Sequence, residues 1–201
     1  MAIEVDPYLV HYLRQKFREQ VESCRLELME GDVLRTPLEG WGAAPIAGNL
    51  PYYITSPILE RVFTLKGTWP LAVFLVQAEV AERLAAEPGG RDFGYLSVVA
   101  QVHAHVEILF PVPRVAFRPP PKVDSAVVRL TPRDPSELGI EDRAAFLKFA
   151  SACFRQKRKT LRNNLAPLFG KERMDALEEG RLRAEQMSLS QLAALHRKLR
   201  G

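Results

Sequence analysis

The sequence predicts an α/β protein with a doubly wound sheet, followed by a small all-helical C-terminal domain. Up to residue 130, short strand-like runs alternate with helix-like runs, a pattern typical of a largely parallel sheet covered by helices. Residues 131–135 contain two prolines and predict a linker, and every run after them has helical periodicity. We therefore expect two domains, residues 1–133 and residues 134–201.

The elements follow one another in short units. Strands are predicted at residues 2–5, 26–29, 45–48, 72–76, 104–109 and 125–130. Helices are predicted at residues 7–22, 56–63, 79–86, 95–103, 141–155, 157–168, 171–177 and 190–199. The run 72–76 is apolar throughout, as in a buried parallel strand. Because no helix separates the last two strands, we expect them to form an antiparallel pair at the edge of the sheet.

Composition narrows the class of protein. Hydrophobic residues make up 47% and charged residues 26% of the chain, which is typical of a folded globular protein. The sequence has no apolar run of roughly 18 residues and no basic segment leading into an apolar one at its start. We therefore expect a cytoplasmic protein without a membrane span. Cys24 and Cys153 lie too far apart for metal-ligand spacing, and we predict two buried, reduced thiols and no metal site.

The basic charge is concentrated in the C-terminal third. Residues 1–133 contain 14 Lys and Arg against 15 Asp and Glu, a net charge of −1. Residues 134–201 contain 14 against 9, a net charge of +5. This asymmetry favours one module that performs chemistry and another that binds a polyanion such as a nucleic acid. The alternative is a solvated helical surface, although such surfaces are usually balanced in charge.

The segment Asn49-Leu50-Pro51-Tyr52-Tyr53 directly follows a predicted strand, where open α/β sheets bind their ligands. The side-chain carbonyl of Asn49 and the main-chain carbonyl of Leu50 can accept both N–H bonds of an exocyclic aromatic amine. These hydrogen bonds would turn the nitrogen lone pair towards an incoming methyl group. Pro51 would stiffen the turn, and Tyr52 would stack on the aromatic base that carries the amine. The alternative is an Asx-type turn followed by two core tyrosines.

Two acidic residues lie at the ends of the first two predicted strands. Glu4 ends the first strand, where Rossmann-type folds hold the carboxylate that binds ribose hydroxyls. Asp32 follows the second strand after Gly31, where it can accept a hydrogen bond from an adenine amino group. Either acid alone is more simply explained as a turn or helix-cap residue. Together with Asn49 they occupy three successive strand ends in the chain.

These motifs together resemble the ribosomal RNA adenine dimethyltransferases, which include the small-subunit enzymes and the Erm resistance methyltransferases. The resemblance covers essentially the whole chain, and its most specific part is Phe117 to Ser125 (FRPPPKVDS), with a further match at Phe74 to Gly94. It implies a Rossmann-like, S-adenosylmethionine-dependent methyltransferase that acts on adenine N6. The implied cofactor-binding residues are Glu4, Asp32 and Asn49, and the implied catalytic residues are Asn49, Leu50, Pro51, Tyr52 and Phe117. For Phe117 the alternative is a hydrophobic contact against the sheet.

The small-subunit branch fits better, because residues 155–165 resemble its C-terminal helical module. The implied partner is 16S RNA of the small ribosomal subunit, and the family leads us to expect a monomer. We predict that Lys157, Arg158 and Arg162 share a helical face that contacts phosphates. The proposed RNA-binding residues are Arg155, Lys157, Arg158, Lys159 and Arg162. The alternative is a solvated, basic helix end.

The chain departs from the family at its start. The family begins with a strand and a Gly-x-Gly-x-Gly turn, whereas the Gly-x-Gly found here is Gly40-Trp41-Gly42, which precedes the third predicted strand. We therefore expect a sheet without the family's first strand, and weak binding of the cofactor. The leading hypothesis is dimethylation of small-subunit RNA during ribosome biogenesis. The alternatives are a non-catalytic RNA-binding or ribosome-assembly protein, an Erm-type large-subunit enzyme, or a DNA adenine methyltransferase.

Overall fold

The computed structural model describes residues 1–39, 42–65 and 69–200. In these residues the strands are β1 (Ala2–Glu4), β2 (Leu28–Glu30), β3 (Ile46–Asn49), β4 (Ala72–Gln77), β5 (Ala104–Val112) and β6 (Ser125–Pro132). The helices are α1 (Pro7–Lys16), α2 (Arg18–Glu22), α3 (Thr55–Thr64), α4 (Ala78–Ala85), α5 (Tyr95–His103), α6 (Arg143–Cys153), α7 (Leu161–Phe169), α8 (Lys171–Asp175) and α9 (Leu189–Arg200). None of the helices so described is both long and apolar enough to span a lipid bilayer.

The chain forms two compact units. The first comprises Met1–Ala43 and Tyr53–Thr68, and the second comprises Ala44–Tyr52 and Trp69–Gly201. The first unit therefore contains β1, β2 and helices α1 to α3. The second contains the remaining strands and all helices from α4 onwards.

In the first unit, β1 and β2 run parallel, with Glu4 opposite Glu30. The N–H of Gly31 donates to the carbonyl of Glu4 at 2.9 Å, which continues the pairing one step beyond the strands. Helix α1 starts where the sequence predicts, because the Asp6 side chain accepts hydrogen bonds from the first turn. The single helix predicted at 7–22 is interrupted at Phe17, whose dihedral angles (φ −111°, ψ 33°) are not helical.

The second unit contains a four-stranded sheet in the order β3-β4-β6-β5. Strands β3 and β4 are parallel, and the β4–β6 and β5–β6 pairs are antiparallel. Along β4 the side chains of Ala72, Phe74 and Val76 are buried and alternate with half-buried neighbours. The predicted antiparallel pairing of the last two strands is confirmed. β6 lies inside the sheet beside β4, however, so of these two strands only β5 lies at an edge.

The C-terminal helices share one apolar core with the segment that precedes and forms α5. Phe93, Val98 and Val102 pack in the same buried cluster as Phe146 and Leu192. Each such side chain contributes about 1.5–3 kcal/mol to stability when it is removed from water. The predicted domain boundary at residue 133 therefore does not coincide with a break in the core. It stays a prediction about which part of the chain performs chemistry and which part binds a polyanion.

The turn between α6 and α7 differs from the prediction. Residues 155–160 form turns, and α7 begins only at Leu161. The buried Asn164 side chain donates to the carbonyls of Cys153 (2.7 Å) and Gln156 (3.2 Å), which ties this turn to the end of α6. The prediction that Lys157, Arg158 and Arg162 share a helical face is therefore wrong.

The two cysteines have different environments, and both are free thiols. Cys153 is buried, as predicted, and burial raises the pKa of its thiol to about 12. The prediction of a buried Cys24 is wrong. Cys24 is exposed because it follows α2 in a left-handed turn (φ 57°), where its N–H donates to the carbonyl of Val21.

Candidate active site

Strand β3 carries the predicted site segment to the carboxyl end of the sheet. Asn49 is its last residue, and the next N–H, that of Leu50, donates to the carbonyl of Leu75 at 3.0 Å. The Leu50 side chain is buried, whereas Asn49 is exposed. A β-carbon added at Gly48 would lie 3.1 Å from Cδ2 of Leu50, so glycine leaves room for that inward packing. The main chain is thus anchored in the sheet while the Asn49 amide faces outward.

The loop between β5 and β6 carries Phe117 to the same end of the sheet. Asp124 closes the loop, because its side chain accepts the N–H of Arg114 (2.8 Å) and its carbonyl accepts the N–H of Ala78 (3.0 Å). Between these anchors lies the proline-rich segment that contains Phe117, and Ser125 at its end begins β6.

These two segments line one pocket of about 310 Å³. Its lining residues are Asn49, Leu50, Pro51, Tyr52, Phe117, Pro119 and Pro121. The pocket lies wholly within the second unit and brings together all five predicted catalytic residues. The pocket is shallow and open to solvent, and its volume is at the lower end of the range for small-molecule sites.

Tyr52 and Tyr53 differ in their surroundings. The hydroxyl of Tyr52 lies within hydrogen-bond distance (2.6 Å) of Oγ of Ser125, which is fully buried. The ring of Tyr52 is half-buried and lines the pocket. Tyr53 is 84% exposed and is therefore not a core tyrosine, contrary to the alternative explanation of the motif.

The two acids predicted to bind the cofactor both lie in the first unit. Oε1 of Glu4 accepts the N–H groups of Val5 (2.8 Å) and Asp6 (2.9 Å). Oδ1 of Asp32 accepts the N–H of Leu34 at 2.8 Å. Each acid therefore also stabilises a local turn or helix start, which is the simpler explanation that the sequence left open for it. Because β1 and β2 are parallel, both carboxylates lie at the carboxyl ends of neighbouring strands.

The predicted RNA-binding residues are not equally available. Arg155, Lys157, Arg158 and Lys159 are exposed in the turn before α7. The ammonium of Lys157 donates to the carbonyl of Arg91 at 2.8 Å. The guanidinium of Arg162 is bound by the carboxylate of Asp175, a hydrogen bond that raises the pKa of Arg162 and lowers the pKa of Asp175. Asp175 therefore partly neutralises Arg162 and engages its Nε and Nη2, which makes Arg162 a weaker candidate for phosphate contact than the residues of the turn.

Two supporting residues were not identified from the sequence. Ser125 supports the Tyr52 ring, and Asn164 holds the basic turn. The sequence contained a signal for each residue. Ser125 is a polar residue directly before the alternating apolar residues of β6, and Asn164 occupies a position of a helical pattern where an apolar residue is expected, so each predicts a buried polar group with a hydrogen-bond partner. The motif Gly40-Trp41-Gly42 cannot be compared in the same way, because Gly40 and Trp41 lie outside the described residues.

The fold is the Rossmann-like fold found in two solved methyltransferase structures. The structure of a dimethyladenosine transferase from Plasmodium falciparum has the same fold (TM-score 0.81, 23% identity, 98% of this chain and 81% of that chain). So does that of the 23S rRNA methyltransferase ErmE (TM-score 0.74, 24% identity, 99% of this chain and 81% of that chain).

The sequence comparisons give the family. The family model described as ribosomal RNA adenine dimethylase matches residues 1–197, and the chain belongs to that family. Two of the similar proteins are named ribosomal RNA small subunit methyltransferase A. The one from Chlorobaculum parvum is 40% identical over 98% of this chain and 70% of its own length. The one from Acidobacterium capsulatum is 45% identical over 99% of this chain and 73% of its own length.

Proposed function

We propose that the protein transfers two methyl groups from S-adenosylmethionine to adenine N6 in 16S RNA of the small ribosomal subunit. The observation that carries this proposal is the single pocket formed by Asn49, Leu50, Pro51, Tyr52 and Phe117 in a chain of this family. The small-subunit substrate is supported by the names of relatives that are 40% and 45% identical. Such an enzyme acts during ribosome biogenesis, in the cytoplasm, and as a monomer.

The pocket suits an amine that is a poor nucleophile. The lone pair of adenine N6 is delocalised into the ring, so it has to be turned out of conjugation before it can attack. Acceptance of both N–H bonds by the side chain of Asn49 and the main chain of Leu50 does this without a strong base. Transfer would form the N6–CH3 bond as the S–CH3 bond of the donor breaks, with S-adenosylhomocysteine as the leaving group. The amine proton becomes acidic only after alkylation and would then pass to water. Catalysis then rests on proximity and orientation, and the reaction proposed here uses no metal.

Tyr52 and Phe117 would hold the base from its two sides. Both rings line the pocket, and stacking on an aromatic ring contributes about 1–3 kcal/mol per base. The hydrogen bond between the hydroxyls of Tyr52 and Ser125 restrains the ring of Tyr52, and Phe117 lies in the loop that Asp124 closes. The base would thus enter a site that is already formed.

Replacing Tyr52 with phenylalanine should separate the role of the hydroxyl from that of the ring. We expect the free energy of unfolding to fall by about 1–2 kcal/mol, because Oγ of Ser125 remains buried without its partner. The rate of methyl transfer should change by less than about threefold, since stacking is retained. Urea denaturation and initial rates measure the two effects.

The double variant Tyr52→Phe with Ser125→Ala serves as the control, and it should be less destabilised than the sum of the single variants. A large loss of rate at unchanged stability would instead make the Tyr52 hydroxyl the functional group.

The methyl donor would be bound by Glu4 and Asp32. S-adenosylmethionine, when bound, supplies the electrophilic methyl group. The carboxylate of Glu4 suits the ribose hydroxyls and that of Asp32 suits the adenine amino group. Each uses one oxygen in a local turn, and Oδ2 of Asp32 also lies 3.6 Å from Nε of the exposed Arg35. The donor set therefore fits the nucleoside end of this cofactor.

The helical module of residues 134–201 would bind the RNA. Its exposed residues Arg155, Lys157, Arg158 and Lys159 lie in one short turn that Asn164 ties to α6. A fixed group of cations on a structured turn favours contact with phosphates, which orients the RNA without reading its sequence.

The proposal is tested by transfer of labelled methyl groups from S-adenosylmethionine to small ribosomal subunits that lack the modification. We expect dimethyladenosine in 16S RNA after digestion, with no label in large subunits or in DNA. Label confined to large-subunit RNA would favour an Erm-type enzyme. RNA binding without any label would favour a non-catalytic assembly protein.

A further inference from the structure

Arg61 lies in the last turn of α3, in the same compact unit as Asp32. Its guanidinium donates from Nη1 to the carbonyl of Leu34 (2.9 Å) and from Nη2 to the carbonyl of Thr36 (2.5 Å). Both acceptors belong to the turn that follows β2. A helix distant in sequence therefore holds this turn through a single side chain.

The same turn also carries its own hydrogen bonds, which centre on Asp32. The N–H groups of Arg35 and Thr36 and the hydroxyl of Thr36 all donate to the carbonyl of Asp32 at 2.9 Å. The N–H of Leu34 donates to Oδ1 of Asp32 at 2.8 Å. Leu34 is thus bound on both sides, by Asp32 through its N–H and by Arg61 through its carbonyl. The main chain of Leu34 therefore connects the guanidinium of Arg61 to the carboxylate of Asp32 through two hydrogen bonds.

The burial of Arg61 has an energetic cost that a residue needed only for packing would not carry. Its Nε is buried and has no hydrogen-bond partner among the described residues. Leaving a buried donor of a charged group unpaired is destabilising, and such groups usually have another explanation. An apolar side chain would fill the space without that penalty, but it could not hold the carbonyls of Leu34 and Thr36.

We infer that Arg61 is a positioning residue for recognition of the cofactor adenine. It fixes the turn whose Leu34 amide orients the Asp32 carboxylate. The inference rests on the proposed function, in which Asp32 accepts a hydrogen bond from the adenine 6-amino group. Arg61 itself touches neither cofactor nor RNA in this scheme, so its effect is on the selectivity of the site.

The test compares two probes, S-adenosylhomocysteine and S-inosylhomocysteine, in which a carbonyl oxygen replaces the 6-amino group. Dissociation constants are measured by calorimetry for the unaltered protein and for Arg61→Met and Arg61→Lys. The unaltered protein should prefer the amino compound by about tenfold or more, because the 6-carbonyl oxygen of the analogue cannot donate a hydrogen bond to the Asp32 carboxylate and is repelled by its charge. Arg61→Met should reduce this preference at least about threefold, and Arg61→Lys, which keeps the charge, by less.

Arg18→Met is the matched control, since Arg18 is an exposed arginine of the same unit that pairs with Glu22. It should leave the preference unchanged. If Arg61→Met weakens both probes by the same factor, Arg61 has a structural role only and the inference is wrong. If Arg61→Met does not fold, as judged by circular dichroism, the preference of Arg61→Lys decides between the same two outcomes.

Asp32→Asn distinguishes failure of this inference from failure of the proposed function. It should abolish the preference, because an amide can pair with either probe. A preference that survives in Asp32→Asn would contradict the adenine-binding role of Asp32, and the inference about Arg61 with it. A preference that is lost in Asp32→Asn but intact in Arg61→Met would contradict the inference alone.

Discussion

Replacement of Asn49 by alanine should lower the rate of methyl transfer to adenine by at least about 100-fold. The side-chain carbonyl is one of the two acceptors proposed to align the amine, and alanine leaves nothing in its place. The protein should remain folded, because Asn49 is exposed at the end of β3 and the Leu50–Leu75 hydrogen bond beside it uses main-chain atoms. Initial rates with saturating RNA, together with thermal unfolding, measure the two effects.

Two further variants make this result specific. Asn49→Asp keeps an acceptor oxygen but adds a charge, so its activity should lie between those of the unaltered protein and Asn49→Ala. Asn163→Ala removes the same amide from an exposed position of α7 and should leave the rate unchanged. Equal activity of Asn49→Ala and the unaltered protein would refute the proposed alignment of the amine.

Replacing Lys157, Arg158 and Lys159 together by glutamine should weaken RNA binding by about 100-fold at low salt. If each residue contacts one phosphate, the slope of log affinity against log salt should decrease by about 0.7–0.9 per residue lost. Affinity for S-adenosylhomocysteine should not change, because the turn lies outside the proposed cofactor site. Filter binding of a small-subunit RNA fragment over a salt series measures both quantities.

The matched control removes the same net charge from α1 and the start of α2, where Arg14, Lys16 and Arg18 are exposed. This control triple should reduce affinity far less than the turn triple. Equal losses in both would mean that net charge rather than a defined surface attracts the RNA. An unchanged salt slope in the turn triple would mean that these residues do not contact phosphates.

Most strands and helices could be predicted because their signals are local. The apolar run of β4 and the periodicity of α5 depend only on neighbouring residues, and both elements lie within one residue of the predicted ends. The site segment could be predicted for a related reason. Asn49 directly follows a strand, and the carboxyl ends of parallel strands are where such sheets bind ligands.

The start of α7 could not be predicted, since residues 157–160 have helical composition. Asn164 stabilises the turn by donating to the carbonyl of Cys153, at the end of α6, and to that of Gln156, within the turn, eleven and eight residues earlier in the chain. The Arg162–Asp175 ion pair, which partly neutralises one predicted phosphate-binding residue, was likewise not predicted. Neither contact partner could be identified from the local sequence, because each contact joins residues that only the folded chain brings together.

The chain's own residue order thus specifies the α/β class, the family and the chemistry available at the strand ends. Local periodicity and short motifs are enough for these, since a strand, a turn and an acceptor amide are properties of adjacent residues. Tertiary structure alone decides that Phe117 lines the same pocket as Asn49, that Ser125 holds the Tyr52 hydroxyl, and that Arg61 binds the turn after Asp32. The physical reason is that these contacts join residues 25 to 73 positions apart, and they form only after strands and helices have packed.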